Sequence, residues 1–326
     1  MLYPLTFTPL LKERIWGGRK LERLFQKPLP ETIPIGESWE ISDRPGDVSV
    51  IDAGPLRGKD LRWLMQHHGE TLLGWKPRPE EPFPLLVKIL DAQDKLSLQV
   101  HPPSGKAAAL GGEPKTEMWY IAQAEPGAQL FVGLKQGVTR QQFQEKIGNG
   151  TVADCFHRLN VCAGDAMFLP SGRVHAIGAG LVIFEIQQNS DTTYRVFDWN
   201  RVGPDGKPRA LHVAESLASI DFTDFEPGLV SSHSATVGSV SMRLLVDDPL
   251  FRVQSVDFER GAILPLGRGR AKVVGVVKGT VRVESGVEPV VLNPGQFCLI
   301  PGSLSDARIE AESAAGLLVA EPGPPA

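Results

Sequence analysis

The sequence has few cysteines and no long apolar run, and both absences narrow the possible classes of protein. Its 326 residues contain three cysteines, Cys155, Cys162 and Cys298, which form no C-x-x-C pair. This odd and scattered set argues against a disulfide framework and favours a reducing compartment. No segment approaches the ~20 apolar residues of a membrane-spanning helix, and the N-terminus lacks a signal-peptide layout. We therefore expect a cytoplasmic protein without a membrane partner.

An excess of positive charge is also missing. The 34 lysines and arginines are outnumbered by 38 acidic residues, which gives a net charge of −4. A broad nucleic-acid surface normally requires a basic patch, so we expect no nucleic-acid partner. Hydrophobic residues make up 42% of the chain, enough for a full core, and its length is sufficient for two domains.

Turn-forming residues are abundant throughout the chain. The 34 glycines and 27 prolines are distributed as frequent turn signals between short apolar runs, a pattern typical of a strand-rich protein. Helical spacing of apolar residues occurs at 59–68 and 139–147, and a third short helix is expected around 211–217. The predicted fold class is mainly β with a few short helices.

One turn-rich segment ends in an isolated histidine. Residues 164–175 follow the pattern G-x5-P-x-G-x2-H, in which Gly164 starts an apolar strand and Pro170 and Gly172 form the next turn. This spacing leaves the imidazole of His175 at the mouth of the turn. A single histidine of this kind is usually structural, so its interpretation depends on partners elsewhere in the chain.

Suitable partners lie upstream of this segment. Residues 96–101 alternate apolar and polar side chains, which places Gln99 and His101 on one face of a strand. Glu117 begins another strand. Together with His175 these residues supply two imidazoles, one carboxylate and one amide oxygen, a donor set that suits zinc or another divalent ion. The alternative is four unrelated polar side chains on the inner face of a barrel.

The C-terminal region repeats the turn pattern without the histidine. Residues 293–302 reproduce the Gly-x5-Pro spacing of Gly164 and Pro170, yet no histidine occurs after residue 234. We therefore expect a catalytic metal-binding domain with helical insertions at 1–235. A degenerate β domain without metal ligands is expected at 236–326.

The motifs together resemble a known family. The segments Leu-Ser-Leu-Gln-Val-His-Pro at 96–102, Lys-Thr-Glu at 115–117 and Asn-Ser-Asp-Thr-Thr-Tyr-Arg at 189–195 resemble mannose-6-phosphate isomerases of the type I cupin class, in their short bacterial form. The resemblance implies two cupin-type barrels, which are double-stranded β-helices or jelly rolls. It covers most of residues 1–215 and is weaker over 231–326.

The resemblance also implies a role for each matching position. One zinc ion per chain would be held by Gln99, His101, Glu117 and His175. The catalytic arginine would be Arg195, with Lys115 and Asp191 as acid/base candidates. Substrate contacts would fall on Ser97, Lys115 and Lys88.

The implied reaction converts D-mannose 6-phosphate into D-fructose 6-phosphate through a cis-enediol or enediolate. A metal cation beside Lys115 should lower the pKa of that ammonium and suit it to proton transfer. Long members of the family have a histidine before this lysine. Here Pro114 occupies that place, so the acid/base role must fall elsewhere or be unnecessary.

Two other functions remain compatible with the residues. One is a different metal-dependent cupin enzyme, either a glucose-6-phosphate isomerase or a dioxygenase. The other is a non-catalytic sugar-binding cupin. In each case we expect a small sugar phosphate or related ligand as partner and a monomeric or homodimeric chain.

Overall fold

The computed structural model describes residues 2–202, 206–286 and 288–324. The outermost residues of both expected domains, residue 1 and residues 325–326, therefore lie outside the described part. Within that part the chain forms five short α-helices: α1 (Lys20–Phe25), α2 (Leu61–Leu73), α3 (Ser104–Ala107), α4 (Arg140–Gly148) and α5 (Val213–Ser219).

The described residues form mostly strands, which confirms the predicted mainly β class. Those of the first half are β1 (Leu10–Gly18), β2 (Ile35–Ile41), β3 (Asp43–Arg44), β4 (Asp47–Val48), β5 (Leu85–Ala92), β6 (Leu98–Val100), β7 (Glu117–Ala124), β8 (Gln129–Leu134), β9 (Phe156–Asn160), β10 (Ala166–Leu169), β11 (His175–Ile177), β12 (Leu181–Gln188) and β13 (Tyr194–Phe197). Those of the second half are β14 (Ser234–Val237), β15 (Val240–Asp247), β16 (Phe251–Phe258), β17 (Ile263–Pro265), β18 (Lys272–Lys278), β19 (Val281–Glu284), β20 (Val290–Leu292), β21 (Phe297–Ile300), β22 (Arg308–Ala311) and β23 (Ala315–Pro322).

The strands of the first half build two sheets. The order is β1-β2-β5-β12-β7-β10 in one sheet and β13-β6-β11-β8-β9 in the other. Strands β5, β7, β10 and β12 thus lie in the first sheet and β6, β8, β9 and β11 in the second, and β5 pairs with β12. This is the strand order of a jelly roll, in which antiparallel strands enclose a small interior.

The second half repeats the same topology. Its sheets have the orders β14-β15-β16-β23-β18-β21 and β17-β22-β19-β20, so β16 to β23 correspond one by one to β5 to β12. The interior of this second set is apolar and includes Val274, Val283, Cys298 and Ile309. The described residues of this set therefore enclose a hydrophobic core.

Aromatic side chains join the two halves. The ring centroids of Phe184 and Phe297 are 5.5 Å apart, those of Phe168 and Phe251 are 6.4 Å apart, and all four belong to or pack against one continuous core. Strand β14 begins at Ser234 and pairs with β15 of the second half. The division at 235/236 remains a prediction.

The predicted helices are present with shifted ends. Helix α2 begins after Asp60, whose side chain accepts a hydrogen bond from the Trp63 backbone N–H at 2.7 Å and so caps the first turn. Its helical backbone is interrupted at His68 (φ −137°), the predicted end, and a second helical stretch runs to Leu73 and stops at Gly74 in the left-handed conformation. Helices α1 and α3 span only six and four residues, too short for a periodic sequence signal.

No helix within the described ranges combines the length and the apolar character that a membrane crossing needs.

The matched turn glycines give a test of the packing between the halves. Gly164 and Gly295 have φ values of +93° and +78°, so alanine is strained at both positions by about 1 kcal/mol. A Cβ at Gly295 would also lie 2.4 Å from the Cβ of Phe25, whereas nothing lies within 4 Å at Gly164. We expect Gly295→Ala to lower the free energy of unfolding by about 1–3 kcal/mol more than Gly164→Ala. Urea unfolding measures both, and equal losses would contradict the packing described here.

Candidate metal centre and pocket

Three buried side chains converge inside the first barrel. The Nε2 atoms of His101 and His175 lie 3.4 and 3.3 Å from the two carboxylate oxygens of Glu117. Their ligand atoms all lie within 4.8 Å of one another, and no other group of three or more His, Cys, Asp or Glu among the described residues meets that distance. Both imidazoles and the carboxylate are at most 1% exposed.

The turn predicted from the G-x5-P-x-G-x2-H pattern places His175 beside His101. Gly172 adopts φ +93°, and its backbone N–H donates to the carbonyl of His101 at 2.9 Å. Strand β11 then starts at His175, which pairs in register with Gln99 of β6. The turn and the register together bring two histidines from distant parts of the chain to the same point.

Backbone carbonyls fix the tautomers of both histidines. The Nδ1 atom of His101 lies 2.8 Å from the carbonyl oxygen of Thr192, and that of His175 lies 2.9 Å from the carbonyl oxygen of Arg173. A carbonyl oxygen only accepts hydrogen bonds, so each neutral imidazole carries its proton on Nδ1. Each Nε2 lone pair therefore points towards Glu117, as in histidines that bind metals.

The protonation states also suit a cation. Burial lowers the pKa of His101 to about 4, and the nearby Lys115 ammonium acts in the same direction. Burial likewise lowers the pKa of His175. Burial raises the pKa of Glu117, but the positive charge of Lys115 outweighs burial and holds this pKa well below its usual range. At neutral pH the site is one carboxylate with two neutral imidazoles.

Lys115 has a different environment from the one expected. Burial lowers the pKa of its ammonium, but attraction to Glu117 and Glu185 outweighs burial, and the pKa ends above its ordinary value. The Nζ atom lies 2.7 Å from Glu117. The surrounding protein residues thus raise this pKa, and its lowering by a bound cation remains a prediction.

Gln99 lies next to the three ionisable residues. Its side-chain Nε2 is 3.3 Å from Nε2 of His175, and the Ser97 hydroxyl donates to its Oε1 at 3.4 Å. The four predicted metal ligands thus lie together, on β6, β7 and β11 and on the residue after β6. Assignment of Gln99 as a ligand remains a prediction.

A cavity of about 380 Å³ lies next to this cluster and is lined by Gln99 and by Lys115, whose Nζ contacts Glu117. Its size falls in the range of small-molecule sites. All of the remaining predicted site residues line it, namely Lys88, Ser97, Lys115, Asp191 and Arg195. All five residues thus lie around the same cavity, and their individual roles remain predictions.

Several lining residues were missed by the sequence analysis. Glu185 lies 3.2 Å from Lys88 and accepts a hydrogen bond from the Trp119 indole at 2.9 Å; a lone carboxylate in the apolar run of β12 was its available signal. Glu37 and Arg209 also line the pocket. Arg209 follows an irregular segment, where no periodicity indicates its direction.

The chain is similar to known isomerases over nearly its whole length. Residues 5–125 match the family model of the phosphomannose isomerase type I catalytic domain. The mannose-6-phosphate isomerase of Streptococcus mutans is 33% identical over 313 residues, which is 96% of this chain and 96% of that protein.

Solved structures share the fold. A mannose 6-phosphate isomerase from Bacillus subtilis gives a TM-score of 0.88 at 29% identity and covers 97% of this chain and 99% of its own. A zinc-bound mannose 6-phosphate isomerase gives a TM-score of 0.78 at 17% identity, with coverage of 98% and 99%.

The buried histidines predict a loss of stability in acid for the metal-free protein. The pKa of His101 is about 4 when folded, against an ordinary value of 6.5. Between these pH values the unfolded chain binds a proton that the folded chain does not, so stability falls as the pH falls. The full shift corresponds to about 3 kcal/mol.

Urea unfolding of the metal-free protein at pH 7.5 and 4.5 measures this loss. We expect a smaller loss in His101→Gln, and an unaltered loss in the control His67→Gln, whose side chain is exposed. The same pH dependence in His101→Gln as in the unsubstituted protein would contradict the role given to His101.

Proposed function

The chain belongs to the type I mannose-6-phosphate isomerase family, and from that premise we propose that its pocket interconverts D-mannose 6-phosphate and D-fructose 6-phosphate with one bound zinc ion. The observation that carries the proposal is the buried group of His101, Glu117 and His175 next to a charged cavity, with Gln99 and Lys115 in contact with both. The curated relative that covers 96% of this chain has the same named activity.

The residues fit a metal ion on their own chemistry. The His101 Nε2 and Glu117 Oε1 atoms are buried without a hydrogen-bond partner among the described residues. Unpartnered buried polar atoms are costly, and a cation would satisfy both. His101, Glu117, His175 and the Gln99 amide oxygen would hold the ion. When bound, it would supply Lewis-acid polarisation of a sugar oxygen.

The isomerisation needs proton transfer between two neighbouring carbons. A base removes the proton from C2 of the open-chain aldose, and the proton returns at C1 of the enediolate. Lys115 and Asp191 are the acid/base candidates from the sequence, and both line the cavity. Glu185 is a third candidate, since it is buried near Lys115 and can accept a proton.

Arg195 suits a different role. Its guanidinium remains charged through the reaction and presents several donors, so it stabilises a developing oxyanion without exchanging protons. Residue 195 pairs in register with Gln99, which places the arginine on the wall next to the proposed metal ligands. We therefore propose that Arg195 stabilises the negative charge of the enediolate.

The first prediction for this function concerns the activity itself. Zinc-loaded protein should form fructose 6-phosphate from mannose 6-phosphate in a coupled assay, and metal-free protein should not. Turnover of glucose 6-phosphate without turnover of mannose 6-phosphate would favour the glucose-6-phosphate isomerase alternative. No turnover with either substrate would contradict the isomerase assignment.

The second prediction separates the metal from the arginine. His175→Ala removes a buried ligand and should lower zinc content from about one per chain to well below half, because three donors cannot replace a lost imidazole at equal affinity. Arg195→Ala should keep the zinc and lose at least about 100-fold in kcat. Metal analysis and steady-state kinetics measure both. Full zinc retention in His175→Ala, or zinc loss in Arg195→Ala, would contradict these roles.

A further inference from the structure

The cationic side chains that line the pocket differ in how fully acidic partners neutralise them. Three of them have a carboxylate of their own: Arg14 with Glu37 at 3.0 Å, Lys88 with Glu185 at 3.2 Å, and Lys115 with Glu117 at 2.7 Å. These three pairs leave no surplus positive charge on their wall of the pocket.

The lining residue Arg209 shares one buried carboxylate, Asp198, with Arg201, which is not among the residues that line the pocket. Asp198 is 5% exposed and accepts hydrogen bonds from Arg209 Nε at 2.7 Å and from Arg201 Nη2 at 2.6 Å. Arg201 has a second partner in Asp94 at 3.3 Å, a side chain that is 54% exposed. Because exposed pairs are strongly screened, Asp94 contributes little to the charge balance inside the pocket.

Arg195 adds a further positive charge at the same place. Its Nη1 donates to the carbonyl oxygen of Ala210 at 2.9 Å, and its buried Nε has no partner among the described residues. Burial lowers the pKa of Arg195, and the charge of Arg209 adds to that effect. The two guanidiniums therefore repel each other, and Asp198 is the one buried carboxylate among the described residues that bonds to either of them.

The contacts also fix the order of these groups along the wall. Arg195 pairs with Gln99 and lies next to the metal ligands. Its guanidinium contacts Ala210, the residue after Arg209, and the backbone N–H of His212 donates to the Arg195 carbonyl at 2.8 Å. Arg209 is thus held beside Arg195 on this wall. An open-chain hexose 6-phosphate has the same order, with the reacting carbons C1 and C2 at one end and the phosphate on C6 at the other. If C1 and C2 lie at Arg195, the phosphate lies towards Arg209.

We propose that Arg209 binds the phosphate group of the substrate and that Asp198 is the positioning residue that orients it. This inference rests on the proposed function. Asp198 engages Nε and Nη2 of Arg209 and leaves Nη1 available to an anion, since no bond from it is formed within the described part of the chain. A phosphate dianion here would supply the negative charge that the three arginines lack, through charge-assisted hydrogen bonds.

Steady-state kinetics and calorimetry on the zinc-loaded full chain test this role. Arg209→Gln should raise KM for mannose 6-phosphate at least about tenfold and change kcat less than about threefold, since uniform binding of phosphate affects KM rather than the chemical step. The dissociation constant for inorganic phosphate should rise by a similar factor. Arg209→Lys, which keeps the charge without the fork, should give an intermediate loss.

Two further variants complete the design. Asp198→Asn should raise KM with little change in kcat, because it loosens Arg209 without removing it. The control Arg282→Gln removes the same charge from β19 in the second half, where Arg282 pairs with Glu312 at 2.9 Å, and should leave KM and phosphate affinity unchanged.

An unchanged phosphate affinity in Arg209→Gln, or a fall in kcat at constant KM, would overturn the proposal. If Arg209→Gln does not fold, the same two results in Arg209→Lys would overturn it. Absence of isomerase activity in the unsubstituted protein would instead contradict the proposed function. Calorimetry with inorganic phosphate would still test Arg209 in that case.

Discussion

The site depends on one fully buried carboxylate. Glu117 has no exposed surface, and removing a carboxylate from water costs several kcal/mol unless charges and hydrogen bonds compensate it. Lys115, His101 and His175 all point at its oxygens. The position of Glu117 at the start of β7 therefore requires the turn, the register of β11 and the alternation of β6 that bring these partners to it.

The second barrel shows that the fold itself does not need this polar group. Strands β16 to β23 repeat the order of β5 to β12 around an interior of aliphatic side chains. An apolar interior of this topology is thus sufficient for closure. The polar interior of the first barrel has a cost in stability, and the function of the site accounts for it.

The sequence was most informative where local spacing alone determines structure. The turn at Pro170 and Gly172, the shared face of Gln99 and His101, and the family resemblance led directly to the cluster, and the family is confirmed. Long-range pairing was not visible. Glu185 approaches Lys115 through the pairing of β12 with β7, so its effect on the pKa of Lys115 was not expected. Arg209 reaches the pocket from an irregular segment that no periodicity describes.

The central claim is that His101, His175 and Glu117 form a zinc site next to the pocket. Anomalous diffraction at the zinc absorption edge, from crystals of the zinc-loaded protein, tests it most directly. We predict one strong peak per chain at about 2.0–2.2 Å from Nε2 of both histidines and from a Glu117 oxygen. A peak at any other place in the chain, or none in active protein, would contradict the account.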